Sequence, residues 1–176
     1  MAANIGQDRI EHGGVRRLRR PVDGHRALRD ALGCFPTGVA VVTGRSAEGA
    51  PFGLTINSFS SVSLDPPLVA WSLRSGSPLV AFFRRGAAFT VNVLGSEQEP
   101  VARQFSSPRP DRFSDIRWHH GLGGLPHLDG AVAWFDCRLT ASHEAGDHRL
   151  LIGGVEQFAA VEGEPLLFVQ GAFRTL

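Results

Sequence analysis

The sequence predicts a mainly β protein, an antiparallel barrel that is closed or nearly closed, with a few helices outside it. About seven short apolar segments have the composition of strands, and turn-forming residues separate most of them. The predicted helices do not alternate regularly with these strands, which disfavours a parallel doubly wound sheet. A barrel is favoured over an open sheet because closure removes exposed strand edges.

The N-terminal part of the chain has no hydrophobic periodicity, so residues 1–22 are predicted to form a mobile extension. An arginine-rich run at residues 16–20 would suit a nucleic acid or an acidic partner. The formal net charge of the chain is only +1, which favours a solvated tail and argues against nucleic-acid binding. The folded domain is predicted over residues 23–176.

Three helices are predicted. The first begins at Asp23, a suitable N-cap, and ends at Gly33 before Pro36. Its apolar residues recur at helical spacing, and they are Leu28, Ala31, Leu32 and Phe35. Two short helices are predicted at Pro78–Phe83 and Pro100–Phe105, each with proline in the first turn.

The predicted strands are rich in β-branched and aromatic residues. They are Gly38–Thr43, Phe52–Ile56, Leu68–Leu73, Phe89–Leu94, residues 131–142, Leu150–Phe158 and Leu166–Val169. The clearest alternation lies in residues 131–142, where one face is uniformly apolar and the other is mixed. In the strand that follows, Gly153 and Gly154 indicate a bulge or a close backbone approach.

The two cysteines, Cys34 on the first predicted helix and Cys137 on a predicted strand, have no CxxC spacing. Both are interpreted as reduced packing residues, and the chain is predicted to be cytoplasmic. No run of 18 apolar residues is present, so no membrane span is expected.

The composition excludes several kinds of chemistry. All 18 residues counted as Lys or Arg are Arg, and Tyr is absent. Without Lys the chain has no Schiff-base lysine and no Walker A lysine, and without Tyr it has no phenolic acid. The seven histidines show no metal-ligand spacing, so no metal site is predicted.

A polar segment follows the second predicted strand. Six of the nine residues from Thr55 to Ser63 are small or amide hydrogen-bonding residues. One interpretation is an ordinary loop rich in turn formers. The other is a cluster of hydroxyl and backbone N–H donors that holds a flat heterocycle and a phosphate without any lysine.

Several motifs, in this order and spacing, resemble the flavin reductase family with the FMN-binding split-barrel fold, a Greek-key antiparallel barrel. The resemblance extends from about Arg26 to Leu176. The matching segments are Phe35–Thr43, Thr55–Pro67, Phe89–Leu94, Asp129–Ala131, Gly146–His148 and Gly153–Val155.

The resemblance implies an NAD(P)H:flavin oxidoreductase, in which hydride passes from reduced nicotinamide to FMN or FAD. It implies NADH or NADPH as co-substrate, a homodimer, and a separate flavin-dependent monooxygenase that receives the reduced flavin. A non-enzymatic flavin-binding module on the same barrel remains the alternative, because fold alone does not separate the two.

The resemblance also implies roles for individual residues. The residues expected to contact the isoalloxazine and ribityl groups are Thr55, Asn57 and Ser58. The residues expected to lie near the phosphate are Ser60 and Ser61, aided by Arg74 or Arg103. A solvated surface charge is an equally good interpretation of either arginine.

The remaining predicted site residues lie elsewhere in the chain. Thr37 and Gly38 are predicted to approach the flavin and nicotinamide through their backbone. Asn92 either contacts the ring or is a structural amide. In the Gly-Asp-His motif, Asp147 belongs to the site, and His148 is expected to position the nicotinamide.

Overall fold

The structure is a computed structural model, and it describes residues 24–176. The predicted extension at residues 1–22 and the predicted N-cap Asp23 lie outside the described residues. Within the described part, no helix has the length and apolar character to span a membrane.

The described residues form three antiparallel sheets, two α-helices and three short 3₁₀ helices. The α-helices are α1 (His25–Leu32) and α2 (Glu99–Ser106), and the 3₁₀ helices are Pro78–Phe82, Ser96–Gln98 and Leu122–Gly124. The strands are β1 (Thr37–Gly38), β2 (Ala40–Arg45), β3 (Pro51–Ile56), β4 (Ser60–Leu64), β5 (Pro67–Arg74), β6 (Ala88–Val93), β7 (Trp118–His120), β8 (Pro126–Leu128), β9 (Ala133–Ala145), β10 (His148–Ala160), β11 (Leu167–Val169) and β12 (Ala172–Arg174).

The main sheet has seven strands in the order β3-β2-β6-β9-β10-β5-β4. Its two edge strands, β3 and β4, are neighbours in sequence but are not hydrogen-bonded to each other. The chain passes from one edge to the other through residues 57–59. The barrel is therefore open between β3 and β4. The predicted mainly β split barrel is confirmed, and its main sheet is not closed.

Two apolar clusters pack on the sheet. In the first, the rings of Trp71, Phe83 and Phe89 meet edge to face with centroids 4.9–5.9 Å apart. A Cβ on Gly153 would lie 2.6 Å from the Phe89 ring, and the β9–β10 register shifts at this glycine, as its sequence indicated. The second cluster includes Leu94, Phe105, Leu128 and Leu166, and it joins α2 and β8 to the sheet.

Every predicted strand is present, and the two later helices are confirmed. Five strands were not predicted as separate elements, namely β1, β4, β7, β8 and β12, and each has two to five residues. The strand β4 corrects the interpretation of the polar segment as a loop, because Ser60–Ser63 pair with β5.

The first helix ends as predicted, at Leu32 with Gly33 as the C-cap residue. No residue of this helix is buried, and Leu32 and the following Phe35 are 66% and 75% exposed. Cys34 lies beyond the helix and is exposed, so its assignment as a helical packing residue is wrong, whereas Cys137 is buried as predicted. Burial raises the pKa of the Cys137 thiol to about 12.

Candidate functional site

A cavity of about 930 Å³ opens on the split side of the barrel. Its lining comes from four stretches of chain and one further side chain, namely residues 50–58, 72–74, 77–79, most of 105–113, and His148. Pockets that hold small ligands are usually about 300–1,000 Å³. The cavity is thus large enough for a nucleotide-sized molecule.

The split itself accounts for the position of the cavity. Strand β4 pairs with β5 only as far as Ala70, so residues 71–74 of β5 have no strand partner on the β4 side. The hydroxyl of Ser58 accepts a hydrogen bond from the backbone N–H of Ser72, with Oγ and N 2.9 Å apart. The crossover residues Asn57 and Ser58 are consequently held at the cavity wall, and both are exposed.

Thr55 lies at the end of β3 and also lines the cavity. Its hydroxyl donates a hydrogen bond to the Ala102 carbonyl of α2, at 2.7 Å. The hydroxyl proton is therefore used in a hydrogen bond within the protein. The backbone of Thr55 and the hydroxyl lone pairs remain available to a ligand.

The segment after α2 forms another wall because β3 has a glycine at the right place. A Cβ on Gly53 would lie 2.6 Å from the Phe105 ring, so only glycine lets α2 pack so closely on β3. Phe105 then meets Phe113 edge to face at 5.0 Å. Arg112 completes the wall, since its Nη1 donates to the Gly53 carbonyl at 2.9 Å.

His148 and Arg74 meet at the end of the β5–β10 ladder, where they are register partners, and both line the cavity. Asp147 Oδ1 lies 2.7 Å from His148 Nδ1. This hydrogen bond is the largest reason why the pKa of the Asp147 carboxyl falls below its ordinary value of 3.8; the charge of His148 lowers it further and Arg74 contributes less. Asp147 thus fixes the imidazole through Nδ1, and Nε2 is the atom available to a ligand.

Asn92 is a structural amide, and the prediction of a ring contact is corrected. It is fully buried; its Nδ2 donates to the Val41 carbonyl at 3.0 Å and to the Thr43 hydroxyl at 3.1 Å, while its Oδ1 accepts from Leu128 N–H at 2.8 Å. Its hydrogen-bonding groups are engaged inside the protein.

The other predicted site residues do not line the cavity. Ser60 and Ser61 lie on the exposed strand β4, and Thr37 and Gly38 pair with β11. Arg103 is held on α2, where its Nη2 lies 2.6 Å from Glu99 Oε1 and its guanidinium lies over the Phe173 ring at 5.1 Å.

Two cavity-lining arginines, Arg109 and Arg112, were not singled out from the sequence. The signal was the run Ser107–Arg112, in which two prolines and two arginines alternate closely. Arginines in a proline-rich segment usually indicate an exposed loop, and only the packing of Phe105 and Phe113 brings this loop to the cavity.

An open antiparallel barrel with a nucleotide-sized cavity at its split and an Asp–His pair beside it has the geometry expected of a ligand-binding domain. Residues 32–176 match the family described as "Flavin reductase like domain", and the chain belongs to this family.

The chain is similar to FMN reductase (NADH) SmoA of Agrobacterium fabrum, with 44% identity over 149 residues that cover 84% of each protein. It is 43% identical to the reductase component of the flavin-dependent trigonelline monooxygenase of Acinetobacter baylyi, over 85% of this chain but only 48% of that protein. The solved structure of the Streptomyces globisporus NADH:FAD oxidoreductase SgcE6 in complex with NAD and FAD fragments superposes with a TM-score of 0.83. It shares 37% identity over 90% of this chain and 96% of that one.

Proposed function

We propose that this protein is an NAD(P)H-dependent flavin reductase of the EC 1.5.1 type, which passes hydride to FMN or FAD. The single observation that carries the proposal is the cavity at the split of the barrel, whose lining includes Asn57, Ser58 and a histidine hydrogen-bonded to Asp147. The names of the similar proteins support both cofactors and NADH as the reductant.

The residues around the cavity fit a flavin. Apolar groups such as Phe52, Leu54 and Leu79 offer a surface for a flat ring, while Asn57 and Ser58 offer polar atoms for its edge. A bound flavin would supply the ring nitrogen that accepts hydride from nicotinamide. The chain needs only to position the two rings and exclude competing reactions, which agrees with a cavity that contains no lysine, tyrosine or cysteine.

His148 is proposed to position the nicotinamide. Hydride transfer requires no proton at that step, so the imidazole acts as a hydrogen-bonding and packing group. Asp147 keeps the ring in one orientation, and this fixed orientation supports a role in binding.

The proposal includes partners. Reduced flavin would pass to a separate flavin-dependent monooxygenase, as the names of several similar reductase components suggest. A homodimer is supported by large exposed apolar side chains, among them Leu32, Phe35, Phe158 and Leu176. A cytoplasmic location follows from the need for NADH.

The test is an assay of the purified protein with NADH or NADPH and with FMN or FAD, in all four pairings, following the loss of reduced nicotinamide absorbance. The proposal expects catalytic oxidation with at least one pairing. Tight flavin binding without nicotinamide oxidation would contradict it and favour the alternative of a flavin-binding module.

A further inference from the structure

The cavity is elongated, and strand β3 runs along its length. Every residue of β3 lines it, and a strand rises about 3.3 Å per residue, so β3 alone bounds about 17 Å of the cavity. One end lies at the crossover residues Asn57 and Ser58, where the flavin ring is proposed to bind. The other end lies at the start of β3, where a second part of a long ligand has room.

An aromatic stack borders the cavity at the start of β3. The rings of Phe52 and Phe82 lie nearly parallel, with centroids 4.7 Å apart and 21° between their planes. Phe82 is the last residue of a 3₁₀ helix whose first two residues, Pro78 and Leu79, line the cavity. Because a 3₁₀ helix rises about 2 Å per residue, Phe82 lies within about 8 Å of Pro78 along this helix.

The protein holds the Phe52 ring in a fixed position. Phe83 meets it edge to face, with centroids 5.7 Å apart, and Phe83 is itself buried. Gly44 is the register partner of Phe52 on β2, and a Cβ at Gly44 would lie 2.5 Å from Phe52 Cζ. The glycine therefore makes room for the ring, and Phe52 is a rigid support for Phe82.

Phe82 differs from its neighbour Phe83 in exposure. The side chain of Phe83 enters the core, whereas Phe82 is 38% exposed. Phe52 covers one face of the Phe82 ring, and the exposed surface is available to a ligand. Exposed apolar groups beside a cavity are typical of ligand-binding grooves, and an aromatic ring stacks well on another flat ring.

We infer that Phe82, supported by Phe52, stacks on the adenine ring of a dinucleotide bound in the cavity. The inference rests on the proposed function. Adenine reaches the cavity from two sources, FAD or NADH. FMN has no adenine, so a contact with FAD would make Phe82 a determinant of flavin preference. Stacking on an aromatic side chain needs no charged group, because every base has a flat π face.

The test compares flavins with and without adenine. Dissociation constants for FAD and FMN are measured by calorimetry in the wild type and in the Phe82→Leu variant, which keeps an apolar side chain but removes the ring. FAD binding is expected to weaken about tenfold, as loss of a base–aromatic stack does, and FMN binding to stay within about twofold. The unchanged FMN constant also shows that the variant is folded.

Two further variants sharpen this arm. Phe82→Trp keeps a flat aromatic ring and should hold FAD binding within about twofold of the wild type. The matched control is Phe158→Leu, because Phe158 is also exposed and also stacks on a phenylalanine, Phe135, but does not line the cavity. This control should change neither constant.

A second arm addresses adenine from the reductant. KM is measured for NADH and for reduced nicotinamide mononucleotide, with FMN as the acceptor, so that only NADH brings an adenine. If Phe82→Leu raises KM for NADH about tenfold and leaves FAD binding unchanged, the stacking site holds with the nicotinamide dinucleotide as its ligand.

Unchanged FAD affinity together with an unchanged KM for NADH would overturn the adenine site and leave the proposed function standing. Equal losses for FAD and FMN would also overturn it, because Phe82 would then act only on the shape of the cavity. A wild-type protein that binds no flavin and oxidises no NADH would overturn the proposed function as well.

Discussion

Two polar regions of this molecule have similar residues but opposite hydrogen-bonding states. In the first, the buried Asp136 accepts hydrogen bonds from the Thr90 hydroxyl at 2.5 Å and from Leu122 N–H at 3.2 Å, and it lies 2.7 Å from His127 Nε2. In the second, the cavity wall, Asn57 and Arg74 are exposed and the His148–Asp147 pair faces solvent.

The first region fastens the β7–β8 hairpin to the main sheet. His127 and Leu128 of β8 bond to Asp136 and Asn92, and the Thr43 hydroxyl donates to the Pro126 carbonyl at 2.6 Å. Every partner is inside the protein. Buried polar residues whose hydrogen bonds are satisfied inside the protein hold this fold together, whereas the exposed side chains of Asn57 and Arg74 at the split are available to a ligand.

The largest effect is expected in the saturated region. Asp136→Ala removes a carboxylate that is 3% exposed and leaves Thr90 and His127 without their partner. The free energy of unfolding should fall by about 3 kcal/mol, which urea denaturation measures. His148→Ala, at the cavity, should change it by less than about 0.5 kcal/mol. Equal losses for the two variants would contradict the comparison.

A second prediction concerns the wall of the cavity. Gly53→Ala places a Cβ against the Phe105 ring, so α2 and the segment up to Phe113 must shift. We expect a loss of about 1–3 kcal/mol in stability and weaker flavin binding. Gly76→Ala is the control, because nothing lies within 4 Å of its Cβ. A Gly53→Ala protein with wild-type flavin affinity would show that this wall does not contact the flavin.

The third prediction separates the two ligands proposed for the cavity. His148→Ala should raise KM for the nicotinamide about tenfold, while the dissociation constant of the flavin stays within about twofold. His143→Ala serves as control, because His143 is exposed on the same β9–β10 hairpin and does not line the cavity. Unchanged steady-state kinetics would remove His148 from the site.

The smallest effect is a shift in titration. The pKa of Asp147 is lowered mainly by the hydrogen bond with His148, so His148→Ala should raise it toward 3.8. With a lowered pKa, the Asp147–His148 interaction is present at neutral pH and is lost only as pH falls through that pKa. Carboxyl carbon chemical shifts followed by NMR measure the change. An Asp147 pKa that does not respond to the substitution would mean that the pair is not formed.

The sequence predicted most of the sheet because runs of β-branched and aromatic residues, and the alternation in β9, are strong signals. It did not predict β4, since Ser60, Ser61 and Ser63 have the composition of a turn and become a strand only by pairing with β5. The same pairing explains why Ser60 and Ser61 leave the cavity while Ser58 remains.

Other site assignments depended on partners distant in sequence. Asn92 is structural because Val41, Thr43 and Leu128 satisfy it, and none of these contacts is visible in a local motif. Arg112 reaches the cavity through Gly53, 59 positions away. By contrast, His148 and Asp147 are adjacent in the chain, so one short motif assigned both of them to the site.

A crystal structure of the protein soaked in FMN tests the central claim most directly. The flavin ring should occupy the cavity at the split beside Asn57 and Ser58, with His148 beside the face left for nicotinamide. A flavin bound elsewhere, with this cavity filled only by solvent or by the protein's own side chains, would contradict the account.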